Sequence, residues 1–181
     1  MKELSLNILD ITENSTKAGA DNVTITINET EETMTISVSD DGCGMTEDFL
    51  REVTNPFTTT RTTRKVGLGI PLLKLAAEQT GGYVNISSKH VSDYPTDHGT
   101  QTTALFYKNH LDFTPLGDVV STVTTLIQGH PTVDFIFEHT SPQRTVRLDT
   151  KELREILGDV PLDSFEVICW IKDFLTEQYS V

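Results

Sequence analysis

The sequence predicts an α+β fold: a two-layer sandwich with a mixed sheet and helices on one face. Residues 2–18 place Leu4, Ile8 and Ile11 at helical spacing, with Ser15 continuing the series. Val23–Ile27 and Met34–Val38 alternate apolar and polar residues on either side of the acidic turn Glu29–Glu32, the pattern of a hairpin. The strands that follow also come mostly in neighbouring pairs, which argues against repeated βαβ units.

Gly19 ends the first helix in the manner of a C-terminal glycine cap. After the second strand comes Gly42-Cys43-Gly44, then a short helix over 47–52. Residues 55–65 are polar and threonine-rich with no apolar period, and read as a loop. A helix over 68–79 stops at Gly81-Gly82, and strands over 83–88 and 100–107 flank a loop that holds Pro95 and Asp97. Beyond residue 110 the order is helix 116–127, strand 133–137, strand 145–148, helix 150–157 and helix 164–178, with Pro142-Gln143 as a hairpin turn. The chain thus divides into a unit over 1–108 and an α-β-β-α-α extension over 109–181. In the last helix, Phe165, Val167, Ile168, Ile171, Phe174 and Leu175 are expected mainly in the core, while Trp170 and Tyr179 are candidates for an interface.

Of the 181 residues, 36% are apolar and 23% charged, enough for a packed core and too apolar for a disordered chain. No apolar run approaches the roughly 18 residues of a membrane span, and the start is not that of a signal peptide. The net charge of −13 is spread over both parts: 9 basic and 15 acidic residues in 1–108, 5 and 12 in 109–181. A broad basic face for nucleic acid is therefore not expected. Cys43 and Cys169 are far apart and form no C-x-x-C, so neither a disulfide nor a metal site is expected, and a reducing cytoplasm fits best.

Four segments carry chemistry. On the first helix, Asn7, Asp10, Asn14 and Lys17 follow one another at three, four and three residues and share a face. Oxygen donors beside a cation suit a hydrated Mg²⁺ with phosphates, although a solvated helix face has the same pattern. Second, Asp40-Asp41-Gly42-Cys43-Gly44-Met45 follows a strand directly. A carboxylate there can accept from an exocyclic amine, and glycines let backbone approach a flat ring; an ordinary glycine turn is the plainer alternative. Third, the loop Asn55-Pro56-Phe57-Thr58-Thr59-Thr60-Arg61 precedes Gly67-Leu68-Gly69 at a helix start, where free N–H groups attract anions. Arg64 and Lys65 add basic charge nearby, and no G-x-x-x-x-G-K-[ST] loop occurs anywhere. Fourth, His98-Gly99-Thr100 opens a strand and says little alone.

In order and spacing these segments resemble the N, G1, G2 and G3 boxes of the GHKL ATPase superfamily. Asp10–Ala20, with its Asn-Ser and Ala-Gly-Ala, is similar to the N box of mismatch-repair proteins of the MutL type. Asn55–Arg61 with Gly67-Leu68-Gly69-Ile70, and the Gly81-Gly82 pair, are closer to sensor histidine kinases. The resemblance covers residues 1 to about 108. It implies a GHKL-type sandwich that binds ATP and Mg²⁺, with Asn14 on the metal and Lys17 near the phosphates. Asp40 would read the adenine amino group, Gly42 and Gly44 would shape the base pocket, and Thr100 would support it. Phe57, Thr59, Thr60, Arg61, Gly67, Leu68 and Gly69 would face the nucleotide, and 58–66 would form a short lid.

The chain also departs from the family pattern. Hydrolytic members carry a glutamate four residues before the N-box asparagine; here Asp10 is the candidate general base, one methylene shorter, and slow hydrolysis is expected. The dimerising hairpin of sensor kinases is not expected ahead of this helix, nor is autophosphorylation of that kind. The family's first strand is likewise not expected ahead of it. The hairpin 133–137 with 145–148 then either extends the open sheet edge or forms a separate subdomain. The resemblance implies a slow ATPase or a kinase acting on a separate protein in signalling. A non-catalytic, ATP-switched regulator of a partner protein is the alternative, and a homodimer is possible.

Overall fold

The computed structural model describes residues 3–54 and 68–181. The elements are α1 (Leu4–Lys17), β1 (Asn22–Glu29), β2 (Thr33–Asp40), α2 (Glu47–Thr54), α3 (Gly69–Gln79), β3 (Tyr83–Lys89), β4 (Gly99–Tyr107), α4 (Val119–Gly129), β5 (Asp134–Thr140), β6 (Thr145–Asp149), α5 (Thr150–Leu157) and α6 (Phe165–Ser180). The six strands form one mixed sheet in the order β3-β4-β2-β1-β5-β6. Only the β1–β5 pair is parallel.

Strand alternation and register together build the core. Leu148, Phe137, Ile25, Val38, Thr102 and Ile86 stand in cross-strand register, as do Val146, His139, Ile27, Ile36, Ala104 and Val84. These two rows run across all six strands, and helices pack on them, with α1 between α3 and α4, and α6 beyond α4. The opposite positions of β1, β2 and β4, such as Thr24, Thr26, Thr35, Ser37 and Thr103, are half-buried polar residues. This is the α+β sandwich expected from the hairpin-rich pattern.

Residues beyond 110 join the same sheet. β5 adds to β1, with Ile25 opposite Phe137 and Ile27 opposite His139. Of the two placements open for this hairpin, the sheet edge is the one observed. The new edge is in turn blocked at its middle: the Gln178 amide accepts from Arg147 N–H and donates to Arg147 C=O, so a side chain occupies backbone groups that another strand would use. The extension also caps α1, whose first N–H groups at Leu4 and Ser5 donate to the carbonyls of Pro115 and Leu116.

Helix α4 begins three residues later than its apolar pattern suggests. Asp118 is its N-cap, accepting from Ser121 N–H at 2.9 Å, so Leu116 and Gly117 remain outside. In α6, Val167, Ile171 and Leu175 are buried and Ile168 and Phe174 packed against the core. Phe165 departs from its expected core place: it is 78% exposed, because it starts the helix on the side opposite the buried stripe. Trp170 is half exposed and stacks on Phe174 at 4.8 Å. Tyr179 is half-buried, packed against the core and bonded to His139.

That bond belongs to a charged knot that ties the extension to the rest. Glu29 at the end of β1 accepts from Lys108 Nζ and His139 Nε2, both at 2.8 Å. His139 Nδ1 lies 2.7 Å from the Tyr179 hydroxyl. Burial, and then the Glu29 charge, push that hydroxyl far above its ordinary range, so Tyr179 donates to Nδ1 and Nε2–H donates to Glu29. Burial alone would raise the Glu29 carboxyl, but the hydrogen bonds from Lys108 and His139 and the Lys108 charge outweigh it and hold the group below its ordinary 4.5. A depressed folded value means a contribution fully present above pH 4.5 and lost as pH falls through the folded value. Glu29→Gln is therefore expected to cost about 1–2 kcal/mol at pH 7. Urea unfolding across pH should show wild type losing its advantage over the variant below the ordinary glutamate range.

Candidate functional site

The ends of α1, β2, α3 and β4 surround one cavity of about 280 Å³. Ile11, Met45, Phe49 and Ile70 give it apolar walls, and Asn14, Ser15, Lys17, Asp40 and Thr100 bring polar groups to it. An apolar cleft with a few convergent polar groups is the usual form of a small-molecule site.

Asp40, the last residue of β2, is fixed from three sides. Its Oδ2 accepts from Ser15 Oγ at 2.6 Å, and its Oδ1 accepts from Gly42 N–H at 2.9 Å and from Thr100 N–H at 3.3 Å. Oδ2 accepts no second bond among the described residues, and Asp40 lines the cavity. Asp41 has a different task. It accepts from the N–H groups of Asp21 and Asn22 and from the Asn22 amide, tying the chain after α1 to the end of β2. Burial would raise its carboxyl, but the donors at Asn22 and Asp21 outweigh that and hold it low.

The turn after Asp40 is packed too closely for side chains. A Cβ on Gly42 would stand 2.9 Å from Ala18 Cβ and 3.0 Å from the Ala18 carbonyl. Cys43 N–H donates to that carbonyl, and Gly44 lines the cavity. Thr100 is held by Ser88, whose hydroxyl lies 2.8 Å from Thr100 Oγ1 and accepts from Met45 N–H at 2.7 Å.

Asn14 and Lys17 line the cavity, and neither side chain bonds to a described residue. Asp10 is exposed one turn earlier, against the start of α3: a Cβ on Gly69 would come within 2.9 Å of Asp10 Cβ. Gly69 is thus where α3 crosses α1, and Ile70 behind it reaches the cavity wall. Leu68 is 70% exposed and outside the lining. Asn7 does not join this face. It is 1% exposed and outside the lining, and its amide has no partner among the described residues. Glu13 turns away to meet His130 at the end of α4, at 2.9 Å. Phe57, Thr59, Thr60, Arg61 and Gly67 lie outside the described residues.

Sequence reasoning missed Ser15, Ile11, Met45, Ile70 and Thr102 as lining residues. Ser15 had the strongest available signal: it follows Asn14 and lies on the buried stripe of α1, where a hydroxyl needs an acceptor. Gly42→Ala is expected to lower stability by about 1–3 kcal/mol through overpacking against Ala18. Chemical denaturation measures the loss, and a variant as stable as wild type would contradict this packing.

The sequence model of the family described as histidine kinase-, DNA gyrase B-, and HSP90-like ATPase matches residues 1–111. No curated protein sequence matches the chain. The Aquifex aeolicus MutL ATPase domain complexed with ADP is similar in structure, with a TM-score of 0.57 at 14% identity, over 87% of this chain and 69% of that one. The N-terminal domain of a DNA repair protein is similar with a TM-score of 0.59 at 15% identity, over 88% of this chain and 58% of that one. At these identities the likeness shows the fold. The family match spans more than half of the chain and carries the site's elements α1, β2, α3 and β4, so the chain belongs to the histidine kinase-, gyrase B- and HSP90-like ATPase family, a family of ATP-binding domains.

Proposed function

We propose that this protein binds Mg–ATP in the cavity and hydrolyses it slowly. The observation that carries the reading is convergence: Asn14, Lys17, Asp40 and Thr100, distant in sequence, meet around one apolar-walled cavity. The adenine ring would lie against Met45 and Ile70, with its amino group donating to the open lone pair of Asp40. Thr100 would support that end. Lys17, exposed at the C-terminus of α1, would offset phosphate charge, with Leu68 and Gly69 at the start of α3 on the phosphate side.

The residues fit a magnesium ion. The Asn14 side chain is half-buried at the cavity and has no partner among the described residues, so its amide oxygen is free to act as a ligand. No group of three or more acidic, histidine or cysteine side chains surrounds it among the described residues. Mg²⁺ suits such a place, since it takes few protein oxygens and fills its octahedron with water and phosphate. When bound, the ion would neutralise charge on the phosphates.

Asp10 would take the proton of the attacking water. It stands one turn before Asn14 with its carboxylate exposed and unbonded to any described residue, but outside the cavity lining. That place outside the lining, with a side chain one methylene shorter than glutamate, supports slow turnover. It also favours a second reading, in which ATP acts mainly as a switch for a protein partner or as donor to a separate protein's side chain. With a net charge of −13, that partner would be a protein and not nucleic acid.

Phosphate release under saturating Mg–ATP tests the assignment. Asp10→Asn is expected to lower turnover at least about tenfold with ADP affinity unchanged, since a general base contributes about 10²–10⁴-fold. Asp10→Glu is expected to raise it. An Asp10→Asn protein that hydrolyses ATP as fast as wild type removes Asp10 from this role.

A further inference from the structure

We infer that His98 is a positioning residue for the base-reading turn, acting through a hydrogen bond to the Gly42 carbonyl. The inference rests on the reading that adenine lies beside Asp40.

The β2–β4 ladder ends at the pair Asp40 and Thr100. Past that pair the chain turns away, and residues 41–44 need other partners. Gly42 N–H donates to Asp40 Oδ1, Cys43 N–H donates to the Ala18 carbonyl, and the Cys43 carbonyl accepts from Val91 N–H at 2.8 Å. The Gly42 carbonyl is held by His98 Nδ1 at 2.5 Å. A carbonyl only accepts, so Nδ1 carries the hydrogen. Every other bond in this set uses backbone or Asp40 itself. His98, the residue just before β4, is the side chain that holds the carbonyl of the Gly42–Cys43 peptide.

The consequence lies in the peptide between Gly42 and Cys43. Gly42 has no side chain to restrict it, so that peptide can rotate unless both faces are fixed. Cys43 N–H is anchored on α1, and His98 anchors the carbonyl on the β4 side. Together they keep Gly42 N–H on Asp40 Oδ1, which leaves Oδ2 with a lone pair for a ligand's donor. His98 does not line the cavity, so its effect reaches a ligand only through the turn. Its loss should fall on recognition of the base amino group more than on the phosphates.

Calorimetric affinities for Mg–ADP and Mg–IDP, which differ in that amino group, test this on wild type, His98→Ala and His98→Asn. Wild type should prefer ADP. His98→Ala should weaken ADP binding about fivefold, the worth of one hydrogen bond, and leave IDP binding nearly unchanged. His98→Asn, whose amide N–H can replace Nδ1–H, should keep the preference. An alanine variant with the wild-type ADP-to-IDP ratio overturns the inference, as does an asparagine variant impaired as much as the alanine one. A wild-type protein without preference for ADP fails the nucleotide reading, and His98's role with it.

Discussion

The Asp40 carboxylate accepts from three elements at once: a serine of α1, the glycine turn that follows β2, and the first turn of β4 backbone. A carboxylate that is partly buried must be satisfied by donors, and each donor here belongs to a different piece of the fold. The position of α1 over the sheet, the path of the 41–44 turn and the start of β4 are therefore set against one another at a single residue. The cavity is the space these three leave when they meet. The same constraint explains why Gly42 tolerates no side chain and why Ser15, a polar residue, is on the buried side of its helix.

The region beyond residue 110 supports this arrangement from the far side. Its carbonyls cap α1, β5 lengthens the sheet beside β1, and the Glu29, Lys108, His139 and Tyr179 knot fastens α6 to the strands. Because α1 carries Asp10, Asn14 and Lys17, the extension helps to fix the helix on which the proposed metal and phosphate chemistry depends. His130 adds a further tie by pairing with Glu13, which keeps the residue beside Asn14 out of the cavity.

Much of this was legible in the sequence, and the residues show why. Period-two strands such as Val23–Ile27 and Met34–Val38, and the helical spacing of Leu4, Ile8 and Ile11, report one buried face, which is a local property. Asp40 and Thr100 could be singled out because they end or begin strands beside glycines. Long-range pairing was not legible. Nothing in Asp134–Thr140 says that it lies parallel to β1, since strand partners are chosen by global packing. Asn7 shows the limit of face arguments: its spacing matches Asp10 and Asn14, but the helix passes over the sheet, and one turn earlier the same face is already inside. His98 was visible only as a neighbour of Gly99-Thr100, because its partner lies 56 residues away. Phe165 is apolar but falls off the buried stripe of α6, which composition alone does not reveal.

The central claim is that Asp40, held by its three donors, presents its remaining lone pair to a nucleotide base. Thermal unfolding with and without millimolar Mg–ADP tests it most directly, using wild type and Asp40→Asn. A ligand bound only to the native state at a hundred times its Kd stabilises by about 2.7 kcal/mol. The account predicts a clear upward shift of Tm for wild type and little or none for Asp40→Asn. Equal shifts for the two proteins would contradict it.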